Sequence, residues 1–276
     1  DLKDCEIPTA YTDLLANYHF NQGTAGGSNP GETSLGDDAG SSRDGALTGF
    51  ALTGGTSNWV APGPTPNGVS CLPVHNVTKD LYYSTIQDAV DGADPGDDIS
   101  VSSGTYNETV ILKKSLNLSG AGCGLTLWKG TAITDRALVI SRDAGMPDDV
   151  HVEITGFSFE TENNQTLRGD WSTGYTEELT LDIHGNCFKH VNTRNPGTDF
   201  ALWVDGANQV VRGATGALRI YDNLFDVVTG GVLFEQCRAV DVLENTFNVT
   251  YEAVTFNYVG SSATTYGDQL VSRNTF

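Results

Sequence analysis

Three aromatic side chains lie in or beside the longest polar insertions of the chain. Trp171 and Tyr175 fall within residues 160–178, and Trp203 follows residues 190–200. A sugar ring stacks on an aromatic face while its hydroxyls bond to nearby Asn and Asp side chains, so these three residues are the candidate carbohydrate-binding residues. The alternative is that they pin the insertions to the wall of the protein. The sequence leaves both interpretations open.

Groups that cleave polysaccharides are present but form no recognisable pattern. A glycoside hydrolase needs two carboxylates at a fixed separation, and a lyase needs a calcium-binding acidic cluster with a basic residue. The acidic candidates are Glu235, Asp241 and Glu244, and the basic ones are Arg168, Lys189, Arg194, Arg212 and Arg238. Asp182 and Asp222 stand at different offsets within the repeat described below. We therefore predict no catalytic residue.

The net charge of the chain limits the classes of partner that it can bind. With 15 basic and 35 acidic residues among 276, the formal net charge is −20, which repels phosphate backbones and argues against nucleic-acid binding. No apolar run reaches eighteen residues, so we expect no membrane insertion. Acidic residues cluster at 94–98 and 148–149 without the spacing of a calcium loop. No cofactor is predicted, and Ca²⁺ is the one ion that this composition leaves open.

Five cysteines occur without a C-x-x-C pair, so zinc binding and thioredoxin-like chemistry are not supported. Cys5 and Cys71 bracket the first segment and could close it as a disulfide in an oxidising compartment. Cys187 and Cys237 could be buried thiols or a second bridge. The sequence does not decide the pairing.

The strongest pattern is an internal repeat, Ile/Val-x-x-Asn-x-Phe, which occurs four times with Asn-to-Asn spacings of 37, 22 and 29 residues. A unit of about 22 residues with insertions fits a β-helix better than a propeller blade of about 40. Ile/Val and Phe would point inward, and the Asn side chains would bond along a ladder at bends that favour left-handed backbone angles. The predicted structural ladder comprises Asn186, Asn223, Asn245 and Asn274, with Phe188, Phe225, Phe247 and Phe276.

The repeat is preceded by a short amphipathic helix and by a different N-terminal region. Apolar residues at 86, 89, 90 and 93 predict a capping helix, and 99–101, 109–112 and 116–118 are predicted strands. Residues 1–70 are predicted to form a small β segment with strands at 14–20 and within 46–60, separated by a polar loop at 21–45 and ending in a Pro/Gly linker at 61–68. Residues 71–276 are assigned to the β-helix.

These motifs carry two resemblances. Residues 80–276 resemble the pectin-lyase-like right-handed parallel β-helix superfamily, and residues 84–110 look like its shared N-terminal region. Within them, Gly104-Thr105-Tyr106-Asn107-Glu108 is similar to the opening signature of pectin esterases, but the later esterase motifs are absent. Residues around 14–60 resemble part of a laminin-G-like (concanavalin-like) module of bacterial surface proteins. The resemblance implies an all-β, right-handed parallel β-helix with a capping helix and a small N-terminal β segment.

Taken together, these patterns predict an extracellular or cell-surface module with a structural, adhesive or glycan-contacting role, as part of a larger protein or filament. Polysaccharide or other cell-surface molecules are the expected partners. The fourth repeat, at 271–276, has no capping segment after it, so we expect a continuing polypeptide or another subunit there, with self-association through this open end. A polysaccharide lyase or glycoside hydrolase is the alternative function.

Overall fold

The computed structural model of the protein describes residues 15–18, 23–24, 27–37, 39, 43–49, 51–53, 72–132, 136–141, 150–161, 166–170, 179–190, 200–205, 218–227, 230–235, 237, 240–249, 251–257 and 269–276. The helix is α1 (Ile86–Gly92). The strands, in chain order, are β1 (Ser34–Leu35), β2 (Gly45–Ala46), β3 (Val74–Asn76), β4 (Leu81–Tyr83), β5 (Asp97–Val101), β6 (Gly104–Asn107), β7 (Val110–Leu112), β8 (Leu116–Gly120), β9 (Thr126–Lys129), β10 (Leu138–Ser141), β11 (Val150–Thr155), β12 (Ser158–Thr161), β13 (Leu167–Asp170), β14 (Leu179–His184), β15 (Cys187–His190), β16 (Phe200–Asp205), β17 (Leu218–Tyr221), β18 (Leu224–Val227), β19 (Gly230–Glu235), β20 (Val240–Leu243), β21 (Thr246–Val249), β22 (Val254–Asn257) and β23 (Gln269–Ser272).

The chain divides into two compact units. The first comprises Asp1–Leu72 with Leu81–Tyr83, and the second comprises Pro73–Asp80 with Ser84–Phe276. In the first unit β1 pairs antiparallel with β2. The predicted loop at 21–45 is therefore wrong at β1, and the strand predicted at 14–20 is wrong at 15–18, which are not in a strand. The backbone N–H of Asn17 donates to the Asp37 carboxylate (2.9 Å), so a side chain takes the place of a strand partner. The linker at 61–68 lies outside the described residues.

The second unit is built from three sheets of parallel strands. Sheet I has the order β22-β19-β16-β13-β10-β7, sheet II has β23-β20-β17-β14-β11-β8-β5, and sheet III has β21-β18-β15-β12-β9-β6. At the end of sheet II, β3 pairs antiparallel with β5. From β5 onward, three consecutive strands add one strand to sheet II, one to sheet III and one to sheet I; we call such a set a rung. The all-β prediction is confirmed, and this arrangement is compatible with a β-helix or solenoid.

The helix α1 covers the predicted position and is capped from two sides. The Thr85 hydroxyl accepts a hydrogen bond from the Asp88 N–H at 3.1 Å. The carboxylate of Glu108 accepts from the backbone N–H groups of Ile86 and Gln87, each at 3.0 Å. These bonds satisfy N–H groups that lack partners within the helix. Glu108, which belongs to the string that is similar to an esterase signature, therefore caps the N-terminus of this helix. Gly104 and Asn107 of the same string lie in strand β6.

The four repeat asparagines stand in one row. The backbone N–H of Asn186 donates to Oδ1 of Asn223 (3.0 Å), that of Asn223 to Oδ1 of Asn245 (3.0 Å), and that of Asn245 to Oδ1 of Asn274 (2.8 Å). Below them the N–H of Phe157 donates to Oδ1 of Asn186 at 2.9 Å. Asn186, Asn223 and Asn245 are buried. A buried amide without hydrogen-bond partners would destabilise the protein, and these bonds supply the partners.

The bend itself is made by the residue before each ladder position. Positive φ angles occur at Gly156 (76°), Gly185 (63°), Asp222 (53°), Glu244 (57°) and Arg273 (57°). The expectation that the asparagines adopt left-handed angles is therefore wrong. The preceding residue turns the chain, which leaves the Asn free to point both its N–H and its side chain along the ladder.

Phenylalanine rings form a second row inside the rungs. Phe188 and Phe225 stack with centroids 4.7 Å apart, and Phe225 and Phe247 with centroids 4.8 Å apart. The row extends at its two ends to Phe159 (5.1 Å from Phe188) and to Phe276 (5.6 Å from Phe247). These separations follow the distance between hydrogen-bonded strands, so the rings repeat with the rungs.

A buried carboxylate lies beside the capping helix. Asp97 is 5% exposed and accepts hydrogen bonds from Nδ2 of Asn76 (2.8 Å) and from the Asp94 N–H (2.9 Å). Nζ of Lys79 lies 3.7 Å from this carboxylate. Burial disfavours the charged form, but the hydrogen bonds from Asn76 and Asp94 and the charge of Lys79 together outweigh it. The pKa of Asp97 is therefore below its ordinary value.

Replacing Asn223 by alanine should destabilise the second unit. The change leaves the Asn186 N–H and the Ile183 carbonyl without their partner amide, and each buried group left unpaired costs about 1–3 kcal/mol. Urea unfolding followed by circular dichroism measures the change. The exposed Asn248 on β21 provides the matched control, and Asn248→Ala should shift the free energy of unfolding by no more than about 0.5 kcal/mol. Equal effects of the two substitutions would show that the ladder contributes nothing special.

The lowered pKa of Asp97 predicts an acid-dependent contribution to stability. A carboxyl group with a depressed pKa in the folded state stabilises the protein above its unfolded pKa, near the ordinary 3.8, and loses that contribution as the pH falls through the folded value. Asp97→Asn should therefore be less stable than the original protein at neutral pH, and the difference should shrink below about pH 4. Urea midpoints measured from neutral to acidic pH test this. A difference that stays constant with pH would contradict it.

Candidate functional site

Trp203 lies on the outward side of sheet I. Along β16 the side chains of Leu202 and Val204 are buried, whereas Trp203 and Asp205 are half-buried. This alternation follows from the two-residue period of a strand, and it turns Trp203 and Asp205 away from the interior of the rungs. The other two candidate carbohydrate-binding residues, Trp171 and Tyr175, lie outside the described residues.

A guanidinium group packs against the indole ring of Trp203 and also approaches a carboxylate. Cζ of Arg168, on β13, lies 4.7 Å from the centroid of the ring, at a distance typical of a cation–π contact. Nη2 of the same guanidinium lies 3.7 Å from the Asp205 carboxylate. Within the described part of the chain, the buried Nε1 of Trp203 has no hydrogen-bond acceptor. A buried indole N–H usually has a partner, so Nε1 of Trp203 is an unpaired donor that lies out of reach of solvent.

A second carboxylate stands next to Asp205. Glu235 on β19 pairs in register with Asp205, and Leu233 pairs with Trp203. Nδ2 of Asn257, on β22, donates to Oε1 of Glu235 at 2.9 Å. We call Arg168, Trp203, Asp205, Leu233, Glu235 and Asn257 the Trp203 face. It combines an aromatic ring, a cation, two carboxylates and an amide over four adjacent strands.

The other acidic candidates are dispersed. Asp241 lies on sheet II, where its strand pairs it with Arg219, and Arg219 Nε contacts Asp182 at 2.8 Å. Glu244 forms an ion pair with Arg273 at 2.7 Å. Of the three acidic candidates, Glu235 lies beside Asp205 on the outward side of two paired strands, and Glu244 lies beside Asp222 at the bends of neighbouring rungs. Sequence reasoning missed Asp205, because a variable insertion precedes its strand.

Lys189 lies on the outer face of sheet III, beside a groove. The groove is lined by Leu127, Leu224, Asp226 and the disulfide between Cys123 and Cys187, among others. Nζ of Lys129 binds Oε1 of Glu160 at 2.7 Å in the same region. This groove is on a different sheet from Trp203. The remaining basic candidates, Arg194, Arg212 and Arg238, lie outside the described residues.

The disulfide joins Cys187 to Cys123, with Cα atoms 5.5 Å apart. Cys237 is buried and takes no part in this bridge. Of the two outcomes left open for Cys187 and Cys237, Cys237 is therefore the buried thiol, and Cys187 bridges to a cysteine that the sequence had not paired with it. Cys5 and Cys71 lie outside the described residues.

Neither acidic cluster that suggested calcium forms a described metal site. At 94–98 the ammonium group of Lys79 lies 3.0 Å from the Asp94 carboxylate. The same ammonium group lies 3.7 Å from the Asp97 carboxylate and partly compensates its negative charge. Residues 148–149 lie outside the described part. In the residues that the structure describes, no group of three or more His, Cys, Asp or Glu side chains is arranged to hold a metal ion.

Comparisons with known proteins do not name a family. Scans of family models, of curated proteins and of solved structures found no match to this chain. The described residues include no helix that is long and apolar enough to span a membrane.

Proposed function

We propose that the second unit is a right-handed parallel β-helix of the pectin-lyase-like type, with a short capping helix, and that it serves as an extracellular or cell-surface module that contacts glycans. The observation that supports this role best is the Trp203 face. It offers a half-buried aromatic ring with neighbouring carboxylate and amide groups. These are the groups that stack on a sugar ring and bond to its hydroxyls.

The location outside the cell is supported by the chemistry of the cysteines. The bridge between Cys123 and Cys187 persists in an oxidising compartment and is uncommon in a reducing one. The first unit, in this proposal, is a piece of a laminin-G-like module. A structural or adhesive role within a larger protein or filament belongs to the same proposal. The stacked sheets and the ladder suit an elongated scaffold.

Trp203→Ala should weaken glycan binding by about tenfold or more, because truncating a central aromatic anchor removes the stacking surface. Binding of neutral polysaccharides, measured by affinity electrophoresis, tests this. Tyr251→Ala is the matched control, because Tyr251 is an exposed aromatic residue away from the Trp203 face, and this substitution should leave binding unchanged. Equal retention of the two variants and the original protein would contradict the assignment. A matching urea midpoint for Trp203→Ala excludes unfolding as the cause.

A second candidate function, glycoside hydrolysis, is favoured by one observation. Asp205 and Glu235 lie opposite each other on neighbouring parallel strands, whose separation of about 4.8 Å is close to the roughly 5–5.5 Å between the carboxyl groups of retaining glycosidases. Like charges directly opposite each other destabilise a sheet, so the pair has a cost that a purely structural face does not require.

If this second function holds, Asp205→Asn and Glu235→Gln should each lower the release of reducing ends from a neutral polysaccharide by at least about 100-fold. Asp226→Asn, a substitution of an exposed carboxylate on sheet III, is the matched control and should keep full activity. Binding without any release of reducing ends in the original protein would leave the glycan-contacting role and eliminate hydrolysis.

A further inference from the structure

The outer face of sheet II carries a group of side chains that neither proposed function uses. Glu153 and Thr155 lie two residues apart on β11, so they point to the same side of the sheet. His184 on β14 pairs in register with Thr155. The three side chains are only partly buried, and those of His184 and Glu153 are 23% and 39% exposed. A molecule in solution can therefore reach them.

Both ring nitrogens of His184 have a partner. Nε2 lies 2.9 Å from Oε1 of Glu153, and Nδ1 lies 3.3 Å from Oγ1 of Thr155. An ionised carboxylate only accepts hydrogen bonds, so the proton of the neutral ring resides on Nε2. Nδ1 then presents its lone pair, and the Thr155 hydroxyl donates to it. The order of groups is hydroxyl, imidazole, carboxylate.

The imidazole ring is also fixed from its other side. Tyr221, opposite His184 on β17, stacks on the ring with centroids 4.6 Å apart and planes inclined by 9°. Cζ of Arg219 lies 5.2 Å from the Tyr221 ring, and Asp182 holds that guanidinium. These contacts restrict rotation of the ring, so the Nδ1 lone pair stays directed at Thr155. Triads of this kind are recognised by geometry and by the roles of their members, on any fold.

We propose that Thr155, His184 and Glu153 form an acyl-transfer site in which Thr155 is the nucleophile, His184 the general base and Glu153 a positioning residue. Oγ1 of Thr155 attacks the carbonyl carbon of an ester while its proton moves to Nδ1 of His184. The bond from that carbon to the alkoxy oxygen breaks, and the leaving alcohol takes the proton. Water then attacks the acyl carbon and gives a proton to Nδ1 of His184. The bond from that carbon to Oγ1 breaks, Oγ1 takes the proton from Nδ1, and the carboxylic acid leaves.

The substrate class follows from the surroundings. The site lies on the outward surface of a sheet, which suits a small acyl group carried by a larger molecule lying across the strands. Asp182, Glu153 and Asp241 lie on the same outer face, and the chain carries a net charge of −20. A neutral ester with a short acyl group, such as an acetyl ester, is therefore favoured over an anionic one. This inference does not depend on glycan binding at the Trp203 face.

The test uses p-nitrophenyl acetate with the full chain. We expect release of p-nitrophenol and, after acid quenching, an acetyl group on the peptide that contains Thr155. Thr155→Val keeps the β-branched shape and should abolish this adduct. His184→Gln should slow the release by about 100-fold or more, the usual contribution of a general base. Thr180→Val and His151→Gln, on the outward side of the same two strands, are the matched controls and should react as the original protein does.

Two results would overturn the proposal. One is an acetyl adduct confined to other residues of the original protein, which needs no variant and so does not depend on folding. The other is equal turnover by Thr155→Val, Thr180→Val and the original protein.

The positioning role of Glu153 is tested separately, by the tautomer of the His184 ring. Nitrogen-15 NMR of the neutral His184 ring should show the proton on Nε2. In Glu153→Gln the side-chain amide can donate to Nε2, so the proton should move in part to Nδ1, and turnover should fall with it. An unchanged tautomer in this variant would remove the positioning role.

Discussion

The buried row of asparagine amides is the interaction on which the described architecture of the second unit depends. An amide inside a protein is stable only when its donor and acceptor groups are paired, and Asn223 pairs with the rungs on both sides. That pairing is possible only when successive rungs lie about one strand separation apart and in a single register. A shift by one residue would move the amides out of line and would turn every apolar side chain outward.

Once the ladder fixes the register, it also determines which outward side chains meet. Thr155 lies two residues before the ladder position Phe157, and His184 and Tyr221 lie two residues before Asn186 and Asn223. They form one outward row on sheet II, as the strand pairing shows. Phe157 occupies the lowest described place in the ladder as a backbone donor without an amide side chain of its own. The same interaction that holds the core thus positions a hydroxyl beside an imidazole.

This explains how much the sequence could predict. The Asn-x-Phe repeat predicted the stacked rows, and the amphipathic pattern predicted α1, because both signals lie within a few residues. The Thr155–His184 contact was available in principle by aligning the repeats on their ladder positions. The Trp203 face could not be found by aligning the repeats, because the spacing from the ladder to sheet I varies. Trp203 follows Phe188 by 15 residues, whereas Leu233 follows Phe225 by only 8. In the first unit, short-range β propensity failed because side-chain bonds from Asp37 replaced strand pairing at Asn17.

Acidic and basic side chains are ordered along the outward rows of the paired strands. In a chain with more than twice as many acids as bases, two described bases stand between acids: Lys189 is flanked in register by Glu160 and Asp226, and Arg219 by Asp182 and Asp241. Such alternation reduces the repulsion that equal charges one strand apart would produce. Asp205 and Glu235 have no base between them in their row, and neither do Glu153 and Asp182, which pair in register on sheet II. Arg168 approaches Asp205, and Asn257 donates to Glu235. His184 contacts Glu153, and Arg219 contacts Asp182. Groups on the neighbouring strands therefore offset the repulsion within both pairs, and both faces for which we propose a function place two carboxylates one strand apart.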